Sequence, residues 1–83
     1  MPHFKKHIPT DFGNPEFFFN RIFTPIGTKY HVAVLDSERR HIFFNMEAKE
    51  RKWHIADAPK IPDWLLKIES ELSNAIVSHK ADE

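Results

Sequence analysis

The sequence contains no cysteine and only two glycines. The first absence excludes disulfide bonds, thiolate metal sites and a cysteine nucleophile. Because Gly13 and Gly27 stand alone, the chain has no glycine-rich loop that could cradle a phosphate. A GxSxG or HExxH motif is also missing, so the residues point to no catalytic class. We expect no enzymatic activity, no cofactor and no metal.

The chain also lacks an excess of either charge and a long apolar run. Twelve Lys and Arg residues balance twelve Asp and Glu residues, which argues against bulk electrostatic attraction to nucleic acid or to an anionic membrane. No stretch approaches the roughly 20 apolar residues of a membrane-spanning helix. The first ten residues, MPHFKKHIPT, contain no apolar run long enough for a signal peptide. The expectations are a cytoplasmic location and no membrane partner.

The small size of the chain makes self-association attractive. A chain of 83 residues is expected to form one small domain, which buries only about 60–65% of the surface of its unfolded form. A second copy would supply part of the missing burial, so a homodimer is the expected assembly.

Short runs rich in aromatic and β-branched residues alternate with turn signals from residue 16 onwards. They are EFFFNRIFT, KYHVAVLD, HIFFNMEA and KWHIAD, and they predict strands over about residues 17–24, 29–36, 40–48 and 52–57. Hairpins in series form an antiparallel meander. Asn14-Pro15-Glu16 also suits a helix start, with asparagine as N-cap and proline at the first helical position, but three consecutive phenylalanines favour a strand.

A helix is predicted over about residues 62–79, because apolar residues there recur at helical spacing. They are Leu65, Ile68, Leu72, Ala75 and Ile76. The predicted fold of residues 16–83 is therefore α+β: a four-stranded antiparallel meander (ββββα) with one C-terminal helix packed on one face. Residues 1–15 contain three prolines and are expected to be an arm, loosely ordered unless Phe4, Ile8 or Phe12 docks.

The turns predict the strand registers. A three-residue turn over Ser37–Arg39 and a two-residue turn at Lys49-Glu50 would bring apolar side chains opposite one another. The pairs are Val34 with Ile42, Val32 with Phe44, Tyr30 with Met46, Phe44 with Ile55 and Met46 with Trp53. Both turns then agree on one apolar face, on which the helix is expected to pack.

The opposite face of the sheet mixes aromatic, polar and basic side chains. Its candidate binding or dimer residues are Phe18, Ile22, His31, Phe43, Asn45 and His54. The register of the first strand stays open, so either Phe18 and Ile22 or Phe17, Phe19 and Phe23 lie on this face. One helix covers one side of a sheet, and an exposed apolar patch commonly marks an interaction site. The preferred hypothesis is a non-enzymatic interaction module that dimerises through this face, ahead of a docked arm or a ligand.

Two other functions are open to the same face. Aromatic and basic residues on a sheet suit single-stranded DNA or RNA, with Lys29, Arg39 and Lys52 as candidate phosphate contacts. A metal site is disfavoured, although the registers predict a row of His31, Asn45 and His54. The two histidines would be two strands apart, roughly 9–10 Å between backbones, and no further ligand is evident.

Two resemblances accompany these patterns. The stretch HIADAPKIPDWLLKIESELSNAI, with the preceding meander, resembles a family of small uncharacterised bacterial proteins of about this length. That resemblance implies one small domain and no activity. The order ββββα is similar in outline to the repeat of the PUR and whirly single-strand binders, which implies a shared topology and assigns no residue.

Overall fold

The strands follow one another across a single antiparallel sheet in chain order. In this computed structural model, which describes residues 3–36 and 38–82, Met1, Pro2, Ser37 and Glu83 lie outside the described residues. The strands are β1 (His3–His7), β2 (Glu16–Thr24), β3 (Gly27–Leu35), β4 (His41–Lys49) and β5 (Lys52–Ile55). A 3₁₀ turn (Ala58–Lys60), a short helix α1 (Asp63–Leu66) and a longer helix α2 (Glu69–Asp82) complete the chain.

The α+β class and the antiparallel meander are confirmed, but the sheet has five strands and not four. The additional strand, β1, lies in the segment expected to be an arm. It pairs with β2, with Phe4 opposite Phe19. The ring of Phe4 stacks on that of Phe19 at a centroid distance of 4.5 Å and on that of His79 at 4.0 Å. Lys6 occupies an inward position of β1, and this break in the apolar alternation concealed the strand.

Strand β2 presents its phenylalanines to both sides of the sheet. Phe17 and Phe19 are fully buried, whereas Phe18 and Ile22 are each 41% exposed on the opposite face. This settles the register that the sequence left open, and it confirms a strand at this position in place of a helix. Successive side chains of a strand point to opposite faces, so a run of three phenylalanines must divide between them.

The two C-terminal hairpins differ in how well their registers were predicted. The pairs Val32–Phe44, Tyr30–Met46 and Val34–Ile42 between β3 and β4 are confirmed. The pairing of β4 with β5 was wrong by two residues, because Met46 lies opposite Ile55 and Ala48 opposite Trp53. The turn is Glu50-Arg51, and both residues have positive φ angles, 55° and 71°. That conformation belongs to a type I′ turn, for which glycine or asparagine is the usual signal.

The β3–β4 loop is held by one carboxylate. Asp36 Oδ1 accepts hydrogen bonds from the backbone N–H groups of Glu38 and Arg40, at 2.9 and 2.8 Å. The Arg40 guanidinium also lies 3.1 Å from Asp36 Oδ2. These donors, the Arg40 N–H first, hold the pKa of Asp36 below its ordinary value. Ser37, which the sequence placed in this turn, lies outside the described residues.

The predicted helix is two helices. Chain geometry changes at Lys67 and Ile68, where the Ile68 N–H donates to the Leu65 carbonyl at 3.1 Å, three residues back instead of four. The predicted apolar stripe is nevertheless all buried against the sheet: Leu65, Ile68, Leu72, Ala75 and Ile76. Both helical segments therefore pack on the core, and α2 continues to Asp82 where the sequence predicted an end near residue 79.

Helix α2 also completes the hydrogen bonding of the β5 edge. Ser73 Oγ accepts from the buried N–H of Trp53 at 3.0 Å, and Glu69 Oε2 accepts from the N–H of Ile55 at 3.0 Å. An edge strand otherwise presents a row of unpaired backbone groups to solvent. The helix thus covers one face of the sheet and closes one of its two edges.

Candidate functional site: the outer face of the sheet

The surface of the sheet opposite α2, called the outer face below, is not covered by any element that the structure describes. Strand alternation and the cross-strand registers place fifteen side chains on it, besides Glu16, Thr24 and the lysines at the β4–β5 turn. They are His3, Lys5, His7, Phe18, Asn20, Ile22, Lys29, His31, Ala33, Leu35, His41, Phe43, Asn45, Glu47 and His54. Apolar, imidazole and charged groups therefore share one exposed surface.

The centre of the outer face is an apolar row that crosses four strands. Lys5 lies opposite Phe18, Phe18 opposite Ala33, and Ala33 opposite Phe43. Phe43 is 58% exposed, which is a large fraction for a ring on a sheet. The small Ala33 side chain separates the two rings, whose strands lie about 9–10 Å apart. The row is therefore two aromatic projections with a shallow depression between them.

Two imidazole rings lie nearly parallel to the Phe43 ring of this row, one on each of two neighbouring positions. The imidazoles of His31 and His41 are 5.7 and 5.8 Å from the Phe43 ring, centroid to centroid, and each is inclined to it by 11°. His31 Nδ1 is 2.9 Å from Asn45 Oδ1, which fixes the orientation of that imidazole. The arrangement holds the Phe43 ring upright without burying it.

Three basic side chains of the outer face, Lys29, His7 and His54, lie beside carboxylates. The Lys29 ammonium lies 3.0 Å from the Glu47 carboxylate. His54 Nδ1 is 3.5 Å from Glu69 Oε1, and Lys5 Nζ lies 5.8 Å from the centroid of the Phe18 ring. Exposed ion pairs contribute little stability. They nevertheless neutralise part of the positive charge around the apolar row.

The structure places all six candidate residues on one surface, with Phe18, Phe43, His31 and Asn45 at its centre. The row of His31, Asn45 and His54 was wrong, because His54 lies opposite Glu47. This follows from the same two-residue error in the β4–β5 register.

The three candidate phosphate contacts do not converge. Lys29 is engaged by Glu47, and Arg39 lies in the β3–β4 loop with a φ angle of 63°. Lys52 lies opposite Lys49, beside the β4–β5 turn. A continuous basic track along the aromatic row is therefore not formed by these three residues.

The site prediction lacked the contribution of β1, which adds Lys5, His3 and His7 to the outer face. The available signal was the even spacing of Phe4 and Ile8, both of which pack inward. Proline residues on each side made this segment more typical of an arm. Five of the six histidines consequently lie on one face, where the sequence predicted three.

Other chemistry has little support in the described part of the chain. No group of three or more His, Cys, Asp or Glu side chains is arranged there to hold a metal ion. None of the described helices is long and apolar enough to cross a membrane. A groove of about 460 Å³, open to solvent, lies between β5 and α2.

No family model matches the chain, and it has no significant similarity to a curated protein or to a solved structure.

Proposed function

We propose that this protein is a non-enzymatic interaction module whose outer face binds a second copy of the chain. The observation that carries the proposal is the apolar row of Phe18, Ala33 and Phe43, which is exposed on the sheet face opposite the buried core. Contiguous apolar side chains at a surface commonly mark a protein interface, whereas scattered ones need no explanation.

The size of the outer face suits a small homodimer. Five strands at about 4.8 Å spacing and about six residues of each strand give a surface of about 20 by 20 Å. Face-to-face packing would then bury on the order of 1,000 Å² in total, near the lower limit for a specific interface. For a chain of 83 residues, this burial adds substantially to a limited core.

The shape of the row is complementary to a second copy of itself. In a two-fold dimer the same patch meets itself, so a projection on one copy must find a depression on the other. The Phe43 ring projects, and the gap above Ala33 lies beside it in the same row. A rotation of one sheet on the other, as in aligned sheet packing, would place each Phe43 ring above the partner copy's Ala33.

The charges of the outer face tolerate such a contact at neutral pH. Lys29 and Glu47 already neutralise each other, and His7 and His54 each lie 3.5 Å from a glutamate carboxylate. Two copies can therefore approach without strong like-charge repulsion. An interface of this kind should depend little on moderate salt.

A matched pair of variants tests this proposal. Phe43→Ser removes an exposed ring from the outer face, and Phe23→Ser makes the same change in an exposed ring on the opposite side of the sheet. Analytical ultracentrifugation should show a weakened dimer for Phe43→Ser and an unchanged one for Phe23→Ser. A third variant, Ala33→Arg, fills the depression with a charged side chain and should give a monomer of normal stability.

Two results would contradict the proposal. One is a wild-type chain that stays monomeric up to high micromolar concentration. The other is a dimer that Phe43→Ser and Ala33→Arg leave intact, because the interface would then lie elsewhere on the molecule.

A second function, binding of single-stranded DNA or RNA, is favoured by one specific observation. The Phe43 ring, flanked by the parallel rings of His31 and His41, is suited to stacking on a base. The balanced charge of the chain and the Lys29–Glu47 pair weigh against it.

Fluorescence anisotropy with a labelled oligothymidine and an oligouridine tests this alternative. Binding that weakens steeply as salt rises, and that is lost in Phe43→Ala and in Lys52→Ala, would replace the dimer proposal. Absence of binding at low salt would remove the alternative.

A further inference from the structure

The two edge strands of the sheet, β1 and β5, differ in whether their outward backbone groups have hydrogen-bond partners. On β5, side chains of α2 accept the hydrogen bonds of the outward N–H groups of Trp53 and Ile55. On β1, at the other edge, four of the five residues are exposed. No backbone group elsewhere in the described chain forms a hydrogen bond with the outward backbone groups of β1. One edge is therefore closed and the other is open.

The register shows which N–H groups of β1 point outward. The Ile8 N–H donates to the Pro15 carbonyl at 3.2 Å, in register with the β1–β2 ladder, so it points towards β2. Backbone direction alternates along an antiparallel strand, and the N–H groups of Phe4 and Lys6 therefore also point towards β2. Those of His3, Lys5 and His7 point away from the sheet. Three donors, with the carbonyls of the same residues, form a free template for a further strand.

The charge of β1 restricts what can pair there. Lys5 lies on the outer face and Lys6 on the inner side, so each side of an added strand would meet an ammonium group. Lysine on an edge strand is a known means of preventing edge-to-edge aggregation. A second β1 would bring these like charges together, which destabilises cross-strand pairs. A strand with acidic residues at two adjacent positions would instead meet one lysine on each side.

We propose that the β1 edge is a second binding surface, which accepts an extended acidic peptide as a sixth strand of the sheet. Backbone hydrogen bonds to His3, Lys5 and His7 supply the pairing, and Lys5 and Lys6 select for negative charge. This mode, β-strand addition, gives affinity through the main chain and specificity through the side chains. Its backbone groups lie in the plane of the sheet and are distinct from the outer face, to which only the Lys5 side chain belongs.

The experiment uses two labelled peptides in fluorescence anisotropy with the full chain. One has two adjacent glutamates flanked by valine and threonine, and the other has two lysines in place of the glutamates. The acidic peptide should bind and the basic peptide should not. In the double variant Lys5→Glu with Lys6→Glu this preference should reverse.

A matched pair of single variants isolates the backbone contribution. Lys5→Ala removes the charge and keeps the outward N–H, whereas Lys5→Pro removes both. Proline is tolerated on an edge strand where the N–H faces solvent, so β1 should stay paired with β2. Loss of one hydrogen bond corresponds to about a tenfold weaker affinity for Lys5→Pro than for Lys5→Ala. Circular dichroism and Tm verify that both variants fold.

Three results would overturn the proposal. They are absence of binding by the acidic peptide, equal binding of both peptides, and equal affinity of the proline and alanine variants. If Lys5→Pro instead dissociates a wild-type dimer, the edge binds a second copy, which also refutes the acidic-peptide assignment. Failure of the outer-face dimer alone, shown by the Phe43→Ser test, leaves this proposal standing.

Discussion

The contact between Ser73 and the β5 edge gives a sharp test of how the helix stabilises the sheet. Ser73 Oγ accepts a hydrogen bond from the Trp53 N–H at 3.0 Å, and both residues are almost fully buried. In Ser73→Ala the N–H loses this acceptor, at a position where both residues are almost fully buried. Leaving a buried donor unpaired costs about 1–3 kcal/mol.

The control is the same substitution one turn earlier on the same helix. Ser70 is exposed, and Ser70→Ala brings the same gain in helix propensity, about 0.5 kcal/mol. The difference between the two variants therefore isolates the buried bond. We expect Ser73→Ala to be less stable than Ser70→Ala by about 1–3 kcal/mol, or roughly 4–8 °C in Tm for each kcal/mol.

Urea unfolding followed by tryptophan fluorescence measures the free-energy difference, and hydrogen exchange reports on the Trp53 amide itself. The exchange of that amide should be faster in Ser73→Ala and unchanged in Ser70→Ala. If the two variants are equally stable and the amide keeps its protection, then α2 does not close the β5 edge and the contrast between the two edges is lost.

Three further predictions concern β1, the β4–β5 turn and the β3–β4 loop. Phe4→Ala should lower the free energy of unfolding by about 2–4 kcal/mol in urea titration, because the ring is partly buried between two stacking partners; a loss below about 1 kcal/mol would mean that β1 is not docked. Arg51→Gly should raise Tm because glycine adopts the positive φ angle of this position without strain, whereas Lys49→Gly should lower Tm. If Lys49→Gly raised Tm and Arg51→Gly lowered it, the turn would lie at Lys49-Glu50, as the sequence predicted. Asp36 has a lowered pKa, so its stabilising effect should be complete at neutral pH and be lost as the pH falls below about 4. Thermal unfolding across this range should therefore show a steeper acid loss for the wild type than for Asp36→Asn, and parallel curves would refute the role of this carboxylate.

The residues of the core were predictable because their alternation is local. Val32, Phe44 and Tyr30 follow strict period-two patterns, and a polar loop between them fixes their pairing. The β4–β5 register was not predictable in the same way. A shift of two residues keeps every side chain on its face, so Trp53 and Ile55 stay buried in either register. Only the backbone conformation of the turn distinguishes the two.

The outer face was likewise predictable where local alternation assigns a residue to a face, and unpredictable where the result depends on strand pairing. Phe18 and Phe43 could be assigned to it once the faces were known. The ion pair between Lys29 and Glu47 could not be predicted from the sequence, because it depends on which residues lie opposite each other on neighbouring strands. The contribution of β1 could not be predicted either. Lys6 interrupts the apolar alternation of this strand, and its side chain is exposed at the edge of the sheet. The interactions that restrict the partners of this protein are thus the ones that required the structure.

The central claim is that the outer face binds a second copy, and the most direct measurement is the solution mass of the wild-type chain. Light scattering at low and at high salt, at neutral pH, should give a mass near twice the 9.8 kDa of one chain in both conditions. A mass near 9.8 kDa in both would contradict the claim. It would leave the Phe18–Phe43 row exposed in the free protein, and titration with single-stranded oligonucleotides would then decide what binds there.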